Sequence, residues 1–210
     1  MSKFIKQSVQ NIEISGIRKF NAIANKVEGV IKLTIGELDA NTPDNIKIAA
    51  IKALNSNKTR YTENKGIIDL REKIAKKYNN YSADEVILTV GTTEGLGIVI
   101  KSIIDNNDHV IIPTPGYVGY DPLISLENGK VVELDVTETN NIITVESLNK
   151  AYNSNVKCLI ITNPNNPTGK LYTIEEMTII KDFVLDKDIL LIADEIYSDI
   201  VFEQDFVSFS

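Results

Sequence analysis

The chain has 210 residues, of which 43% are hydrophobic and 24% charged, close to the average for globular proteins. This composition excludes a disordered, collagen-like or low-complexity chain, and the length predicts one domain, or one domain with a small appendage. The 29 acidic residues outnumber the 22 basic ones, and the net charge of −7 repels phosphate backbones. Nucleic acid is therefore not an expected partner.

The cysteine and histidine content further limits the class of protein and the kinds of catalytic site that are possible. The only cysteine, Cys158, cannot form an internal disulfide and lies in an apolar run typical of a buried strand. No apolar signal core begins the chain, and no window reaches the roughly 18 apolar residues of a membrane span. We therefore expect a cytoplasmic protein with no membrane partner. His109 is the only histidine, so histidine-based metal sites and Ser-His-Asp triads are excluded, and a structural role at a strand start is expected.

The first half of the chain predicts two helices and one strand. Thr42 and Pro43 are typical of an N-cap and a first helical residue. A second helix is predicted from apolar spacing at Ile67, Leu70, Ile74 and Tyr78. Residues 86–90 form a short apolar run, typical of a strand covered on both faces. A turn and another helix follow it.

Strands and helices alternate through the second half. Strands are predicted at 109–112, 130–135, 156–162 and 189–193, and helices at roughly 118–127, 144–153 and 173–186. This alternation predicts an α/β fold with a mainly parallel sheet. Because ligands of such sheets bind beyond the carboxyl ends of the strands, the candidate site lies just after residues 90, 113, 162 and 193.

Two of these positions carry weak signals when taken singly. Thr92 and Thr93 open a helix, where hydroxyls and free backbone N–H groups can hold a phosphate. An N-cap and a tight turn explain the same residues equally well. Tyr117, in a proline-stiffened loop, can stack on a flat heterocycle, although a tyrosine packed at a loop edge is the plainer interpretation.

The other two positions are more specific. The run Asn-Pro-Asn-Asn-Pro-Thr-Gly at 163–169 contains two Asn-Pro steps that restrict the backbone, and Asn166 can donate an amide N–H to an anionic oxygen. Asp194 follows an apolar strand, where a carboxylate is costly to bury without a cation or a strong donor. Tyr197 can place a phenol beside it.

These motifs resemble the amino-terminal part of the class I/II aminotransferases of the pyridoxal-phosphate fold-type I superfamily. The resemblance covers essentially the whole chain, and Asn166 and Asp194 are 28 positions apart. It implies pyridoxal 5'-phosphate as cofactor, an amino acid and a 2-oxo acid as substrates, and a homodimer. It also implies a three-layer α/β/α large domain with a mainly parallel sheet.

The resemblance assigns ring-binding roles to four residues. Asp194 holds the pyridine nitrogen protonated, so that the ring stays an electron sink. Tyr197 and Asn166 hydrogen-bond the phenolic oxygen of the ring. Tyr117 stacks on the ring face.

The resemblance assigns the remaining contacts to four further residues. Thr92 and Thr93 match the phosphate cup, and Tyr61 matches the tyrosine that reaches the phosphate of the neighbouring subunit's cofactor. Gly36 matches the glycine near the substrate carboxylate. Glu94 departs from the glutamine often found there and adds a negative charge near the expected phosphate.

The resemblance also predicts what is missing. Residues 1–35 match an N-terminal arm or small-domain segment, and 36–210 match part of the cofactor-binding large domain, truncated before its last strands and the small domain. The strand at 86–90 is then expected to lack its neighbours. No residue matches the lysine that forms the Schiff base, so no catalytic residue is assigned and the chain is expected to be inactive alone. Lys170 is the nearest substitute by position, but a solvated loop lysine is expected there.

The substrate and the reaction are less narrowly defined. Residues 12–20 are similar to the start of bacterial enzymes that transaminate N-acetyl-LL-2,6-diaminopimelate in lysine biosynthesis, although domain-closing apolar contacts explain the segment equally well. A carbon–sulfur lyase shares the same ring-binding residues, and a non-catalytic protein that binds the cofactor or a partner is a further alternative. A generic nucleotide-binding protein is disfavoured, because no glycine-rich phosphate pattern follows the first strand.

Overall fold

The computed structural model describes residues 2–12, 16–31, 33, 36, 38, 40–78, 80–202 and 204–210. The chain divides into two compact units, one of Thr89–Ser210 with Met1–Ile12 and one of Glu13–Leu88. The division at residue 36 suggested by the resemblance stays a prediction.

Eight α-helices and two short 3-10 turns occur in the described residues, and none of these helices combines the length and apolarity needed to cross a membrane. The 3-10 turns are Ser2–Phe4 and Ala83–Glu85. The helices are α1 (Gln7–Gln10), α2 (Gly16–Ala24), α3 (Asp44–Asn55), α4 (Ile68–Ala75), α5 (Thr92–Ile103), α6 (Tyr120–Leu126), α7 (Val145–Ala151) and α8 (Ile174–Lys187).

The larger unit is built on a four-stranded parallel sheet. Its strands are β1 (His109–Thr114), β2 (Lys130–Asp135), β3 (Val156–Thr162) and β4 (Leu190–Asp194), in the order β2-β1-β3-β4. All three pairings are parallel. The four strands predicted in the second half of the chain are therefore confirmed, including His109 at a strand start.

Helices cover both faces of this sheet. Successive side chains of a strand point to opposite faces, so Cys158 and Ile160 of β3 pack in one apolar cluster and Leu159 and Ile161 in another. The first cluster contains residues of α5 and α6, and the second contains residues of α7 and α8. The result is the three-layer α/β/α arrangement expected from the alternation of elements.

The register of the strands sets the position of the site. Thr162 of β3 pairs with Asp194 of β4, and the backbone N–H of Asn163 donates to the carbonyl of Asp194 at 2.9 Å. Both strands therefore end level at the same edge of the sheet. The loops that follow them start side by side.

The predicted strand at 86–90 is wrong. This segment forms no strand in the part of the chain that the structure describes, and the N–H of Leu88 donates instead to the loop carbonyl of Lys65 at 2.9 Å. A strand needs a ladder of bonds to a neighbouring strand. None of the described strands pairs with this segment.

The smaller unit is held by a buried arginine. The Arg71 side chain of α4 is only 2% exposed, and its guanidinium donates to the carbonyls of Gly66 and Ala83 at 3.1 and 2.9 Å. The same group forms an ion pair with Glu63. Arg71 thereby ties the loop before α4 to the 3-10 turn after it, since one planar group supplies several donors.

Candidate active site

A cavity of about 150 Å³ opens at the carboxyl ends of β3 and β4, beside the N-terminus of α5. It brings together six of the eight residues that the sequence assigned to the site. The full lining is Thr92, Thr93, Leu96, Tyr117, Thr162, Asn166, Asp194, Ile196 and Tyr197. Side chains from four separate loops therefore meet at the predicted edge of the sheet.

Asp194 provides the negative charge of this cavity. Its side chain is buried, with the residue only 7% exposed, because it stands at the last position of β4. Its Oδ2 accepts a hydrogen bond from the Tyr120 hydroxyl at 2.8 Å, and its Oδ1 accepts one from the N–H of Ile196 at 3.2 Å. A carboxylate has about four lone-pair sites, so these two donors leave capacity for a further one.

No lysine or arginine of the described residues forms an ion pair with Asp194. Burying a carboxylate without a cation is costly, because water is lost and no opposite charge replaces it. The cavity beside Asp194 can therefore accept a ligand that carries a proton on a ring nitrogen. A pyridinium N–H fits the free acceptor site of the Asp194 carboxylate.

Tyr120 is a site residue that the sequence reasoning missed. Its hydroxyl is within 2.6 Å of the Thr162 hydroxyl, and the residue is only 1% exposed. Burial raises the pKa of the Tyr120 phenol well above its usual range, so the group stays protonated and donates to Asp194. The available signal was its position at the start of α6, three residues beyond Tyr117 and directly after the loop that follows β1.

Asn166 and Tyr197 form a second polar pair in the cavity. The Asn166 side-chain amide donates to the Tyr197 hydroxyl at 3.2 Å. The two residues come from the loops after β3 and β4, which begin side by side. The amide and the phenol are both able to donate to an anionic oxygen of a ligand.

The loop that carries Asn166 is closed by its own hydrogen bonds. The N–H of Asn165 donates to the carbonyl of Lys170, and the N–H of Gly169 donates to the carbonyl of Asn165, both at 2.8 Å. The Asn165 amide also donates to the carbonyl of Pro115 at 3.2 Å. This last bond ties the loop after β3 to the loop that carries Tyr117.

Tyr117 lies at the cavity wall with its ring held on two sides. The ring meets the Tyr120 ring edge-on, with 5.2 Å between ring centroids. A Cβ added to Gly119 would lie 2.3 Å from the Tyr117 ring, so alanine at this position would require the ring to move. The Tyr117 ring therefore packs between the Gly119 backbone and the Tyr120 ring, beside the cavity.

Thr92 and Thr93 are the first two residues of α5. The first N–H groups of a helix have no partner within the helix, so this end of α5 can bind an anion. The Glu94 carboxylate accepts a hydrogen bond from the N–H of Val90. That contact gives the negative charge of Glu94 a backbone partner.

Gly36 and Tyr61 belong to the smaller unit and are not among the residues that line this cavity. Both are exposed to solvent, and the Tyr61 side chain is fully so. Their predicted roles toward the substrate carboxylate and a neighbouring subunit stay predictions. Of residues 12–20, positions 13–15 lie outside the described residues.

Lys170 is not the solvated loop lysine that was expected. Its side chain is 19% exposed, and its ammonium group lies 2.6 Å from Oε1 of Glu176, which is 6% exposed. The prediction failed because Glu176, six residues further along the chain, folds back at the start of α8. Among the residues that the structure describes, no lysine lines the cavity of Asp194.

The fold and the cavity together define a class. A parallel α/β/α unit carries four features at its strand ends. They are a buried carboxylate that pairs with no cation of the described residues, an amide–phenol pair, an aromatic ring and a helix N-terminus. This is the arrangement of the fold-type I enzymes that bind pyridoxal 5'-phosphate. The sequence profile of the family "Aminotransferase class I and II" matches residues 28–209, and the chain belongs to this family.

Individual relatives agree with this assignment. The chain is 36% identical over 206 residues to aromatic-amino-acid aminotransferase 2 of Thermococcus litoralis, covering 95% of this chain and 53% of the relative. It is also 36% identical over 210 residues to a Bacillus subtilis protein named "Probable N-acetyl-LL-diaminopimelate aminotransferase", covering 97% and 53%. The chain thus spans about half the length of the curated relatives it matches.

Solved structures show the same fold. Aspartate aminotransferase from Thermus thermophilus with maleate superposes with a TM-score of 0.92 at 32% identity, covering 97% of this chain and 56% of that chain. Alanine aminotransferase from Pyrococcus furiosus superposes with a TM-score of 0.91 at 27% identity, covering 97% and 55%. The cofactor of this family is pyridoxal 5'-phosphate.

Proposed function

We propose that this chain binds pyridoxal 5'-phosphate in the cavity at the ends of β3 and β4. We further propose that this site serves amino-group transfer between an amino acid and a 2-oxo acid, a reaction that these 210 residues do not complete alone. The buried Asp194 carboxylate carries the proposal, because it has no cation partner among the described residues and faces a cavity. Family membership supports the same conclusion.

Each residue of the cavity then has a physical role. Asp194 keeps a proton on the ring nitrogen, because a buried carboxylate favours an opposite charge at its free oxygen. Asn166 and Tyr197 donate to the phenolic oxygen, and the ring of Tyr117 covers one face. Thr92 and Thr93 hold the phosphate at the N-terminus of α5. The bound cofactor supplies an electron sink for the carbanion formed at the substrate Cα.

The finer identity of the substrate is also part of the proposal. We place N-acetyl-LL-diaminopimelate first, since residues 12–20 are similar to enzymes that act on it and one relative bears that name. The exposed side chain of Tyr61 supports a homodimer in which it reaches the neighbouring cofactor. We place the protein in the cytoplasm.

We further propose that these 210 residues bind the cofactor without a covalent bond and do not transaminate alone. The observation behind this is the composition of the cavity, since no lysine in the described part of the chain lines it. Lys170 is held by Glu176 and is therefore not free to act as a substitute.

The test is equilibrium dialysis of the chain against pyridoxal 5'-phosphate. Asp194→Asn removes the charge and keeps the shape, and we expect affinity to fall about 10- to 100-fold, as for loss of a charged hydrogen bond of about 1.5–3 kcal/mol. A cofactor analogue with carbon in place of the ring nitrogen should bind the unmodified chain equally weakly. Borohydride reduction of the mixture should leave no single lysine labelled in preference to the others.

Asp205→Asn is the matched control, because Asp205 is exposed and lies outside the cavity. It should leave the affinity unchanged. Equal affinity of Asp194→Asn and the unmodified chain would overturn the ring-nitrogen role. A single lysine labelled by reduction would overturn the proposed noncovalent binding.

A further inference from the structure

We infer that Lys170 and Glu176 are positioning residues that hold Asn166 in place at the cavity. The inference rests on the proposed function, since it concerns the same site. Neither residue lines the cavity of Asp194, so both act through the loop between them and the site.

The ion pair joins a buried glutamate to a partly buried lysine, and both side chains make further hydrogen bonds. The Lys170 ammonium group donates to Oε1 of Glu176 at 2.6 Å and to the carbonyl of Asn141 at 2.5 Å. Oε1 of Glu176 also accepts from the N–H of Ile143 at 3.1 Å, and Oε2 accepts from the N–H of Thr173 at 3.1 Å. One lysine thereby joins the 141–143 turn to the start of α8.

The backbone of Lys170 carries this anchoring to the loop. Its carbonyl accepts the N–H of Asn165 at 2.8 Å, which closes the loop around Asn166. Holding Lys170 in place therefore holds one end of the loop that contains Asn166. The other end is fixed by β3, which ends at Thr162.

The position of Asn166 depends on this loop, which the Asn165–Lys170 backbone hydrogen bond closes. Its side-chain amide must lie within hydrogen-bond distance of the Tyr197 hydroxyl, now 3.2 Å away, and must face the cavity. A hydrogen bond weakens steeply as its distance and angle depart from the optimum, so a shift of a fraction of an ångström costs affinity. Exposed lysines make no comparable contribution, because solvent screens their pairs.

The alternative is that the pair only stabilises the fold. A double-mutant cycle separates the two, since residues that act through one another give non-additive effects. Lys170→Met removes the charge and is measured in the unmodified chain and in an Asn166→Ala background. The readouts are affinity for pyridoxal 5'-phosphate by equilibrium dialysis and hydrogen exchange of the Asn165 and Gly169 amides without ligand.

We expect Lys170→Met to weaken binding roughly three- to thirtyfold in the unmodified chain and by less than about twofold in the Asn166→Ala background. The Asn165 and Gly169 amides should exchange at least about tenfold faster. Lys181→Met is the matched control, because Lys181 pairs with Asp182 on the surface at 63% exposure, and it should change neither readout.

Equal loss of affinity in both backgrounds would overturn the inference in favour of a general structural role. If Lys170→Met fails to fold, Glu176→Gln replaces it, since it removes the charge and keeps an acceptor for Thr173. Failure of the unmodified chain to bind the cofactor would count against the proposed function instead. Unchanged amide exchange in Lys170→Met would still overturn the positioning role in that case.

Discussion

At the scale of single residues, the site depends on hydrogen bonds to one buried carboxylate. Asp194 is held by a phenol and a backbone N–H, so its orientation is set before any ligand arrives. Such a preformed arrangement lowers the ordering cost of binding. The hydrogen bond from Tyr120 is the shorter of the two, at 2.8 Å against 3.2 Å. The Tyr120 hydroxyl also hydrogen-bonds the Thr162 hydroxyl.

Tyr120→Phe is therefore predicted to lower stability and cofactor affinity together. Removing the hydroxyl leaves the buried Asp194 carboxylate with one donor fewer and the buried Thr162 hydroxyl with one acceptor fewer. We therefore expect a loss of about 1–3 kcal/mol in the free energy of unfolding. Urea denaturation followed by circular dichroism measures it, and equilibrium dialysis measures the accompanying loss of affinity.

Tyr152→Phe is a suitable control for this substitution. Tyr152 packs in the apolar cluster on the other face of the sheet, beside the Phe183 ring, and does not line the cavity. It should leave cofactor affinity unchanged. A Tyr120→Phe chain with unaltered affinity would show that the phenol does not set the orientation of Asp194.

At the scale of elements, the start of α8 both caps its own helix and holds Lys170. Thr173 and Glu176 form a capping box, in which the Thr173 hydroxyl accepts the N–H of Glu176 at 3.2 Å and Glu176 accepts the N–H of Thr173 at 3.1 Å. The residues Thr-Ile-Glu-Glu at 173–176 are typical of such a box. The additional partner of Glu176, Lys170, lies outside that local pattern.

Thr173→Ala is predicted to destabilise the chain by about 0.5–2 kcal/mol through loss of the cap. The change should appear as a lower urea midpoint with an unchanged slope, since the surface exposed on unfolding stays the same. Thr178→Ala is the matched control in the same helix, because Thr178 is exposed and alanine favours the helix interior. A Thr173→Ala chain as stable as the control would contradict the assignment of the cap.

At the scale of the whole molecule, three buried acids stay protonated in the folded state. Burial raises the pKa of the Cys158 thiol from 9.0 to about 12. Burial also raises the pKa of the Tyr120 and Tyr172 phenols well above their usual range. The unfolded chain loses these protons at lower pH than the folded chain does.

The stability of the chain is therefore predicted to fall as pH rises from 9 toward 12, because the unfolded state then binds fewer protons. Urea midpoints measured at intervals across this range would show the decline. It should begin near the ordinary pKa of the thiol, 9.0, and steepen above that of the phenols, 10.0.

Salt separates this effect from repulsion among surface charges. The net charge of −7 also opposes folding, but salt screens exposed charges and leaves buried groups largely unscreened. The decline should therefore persist in about 1 M salt, and Cys158→Ala should reduce its slope between pH 9 and 10. A stability that stays level to pH 10.5 at high salt would contradict the proposed burial of these acids.

The sequence predicted the elements that local patterns control. The four paired strands and the helices between them follow from apolar periodicity, and the site residues Asn166, Asp194 and Tyr197 follow from motifs at strand ends. The run at 86–90 has the same local pattern and still forms no strand. Periodicity reports a preference for an extended backbone, whereas a strand also needs a neighbour to bond.

The sequence by itself determined the family, the parallel α/β/α architecture and the edge of the sheet where the site lies, because motif spacing and periodicity encode these directly. Only the tertiary structure decided that Tyr120 holds Asp194 and that Glu176 binds Lys170. These contacts exist because burial and strand register bring distant side chains together. Local residue types show neither burial nor register, since both depend on how separate elements pack.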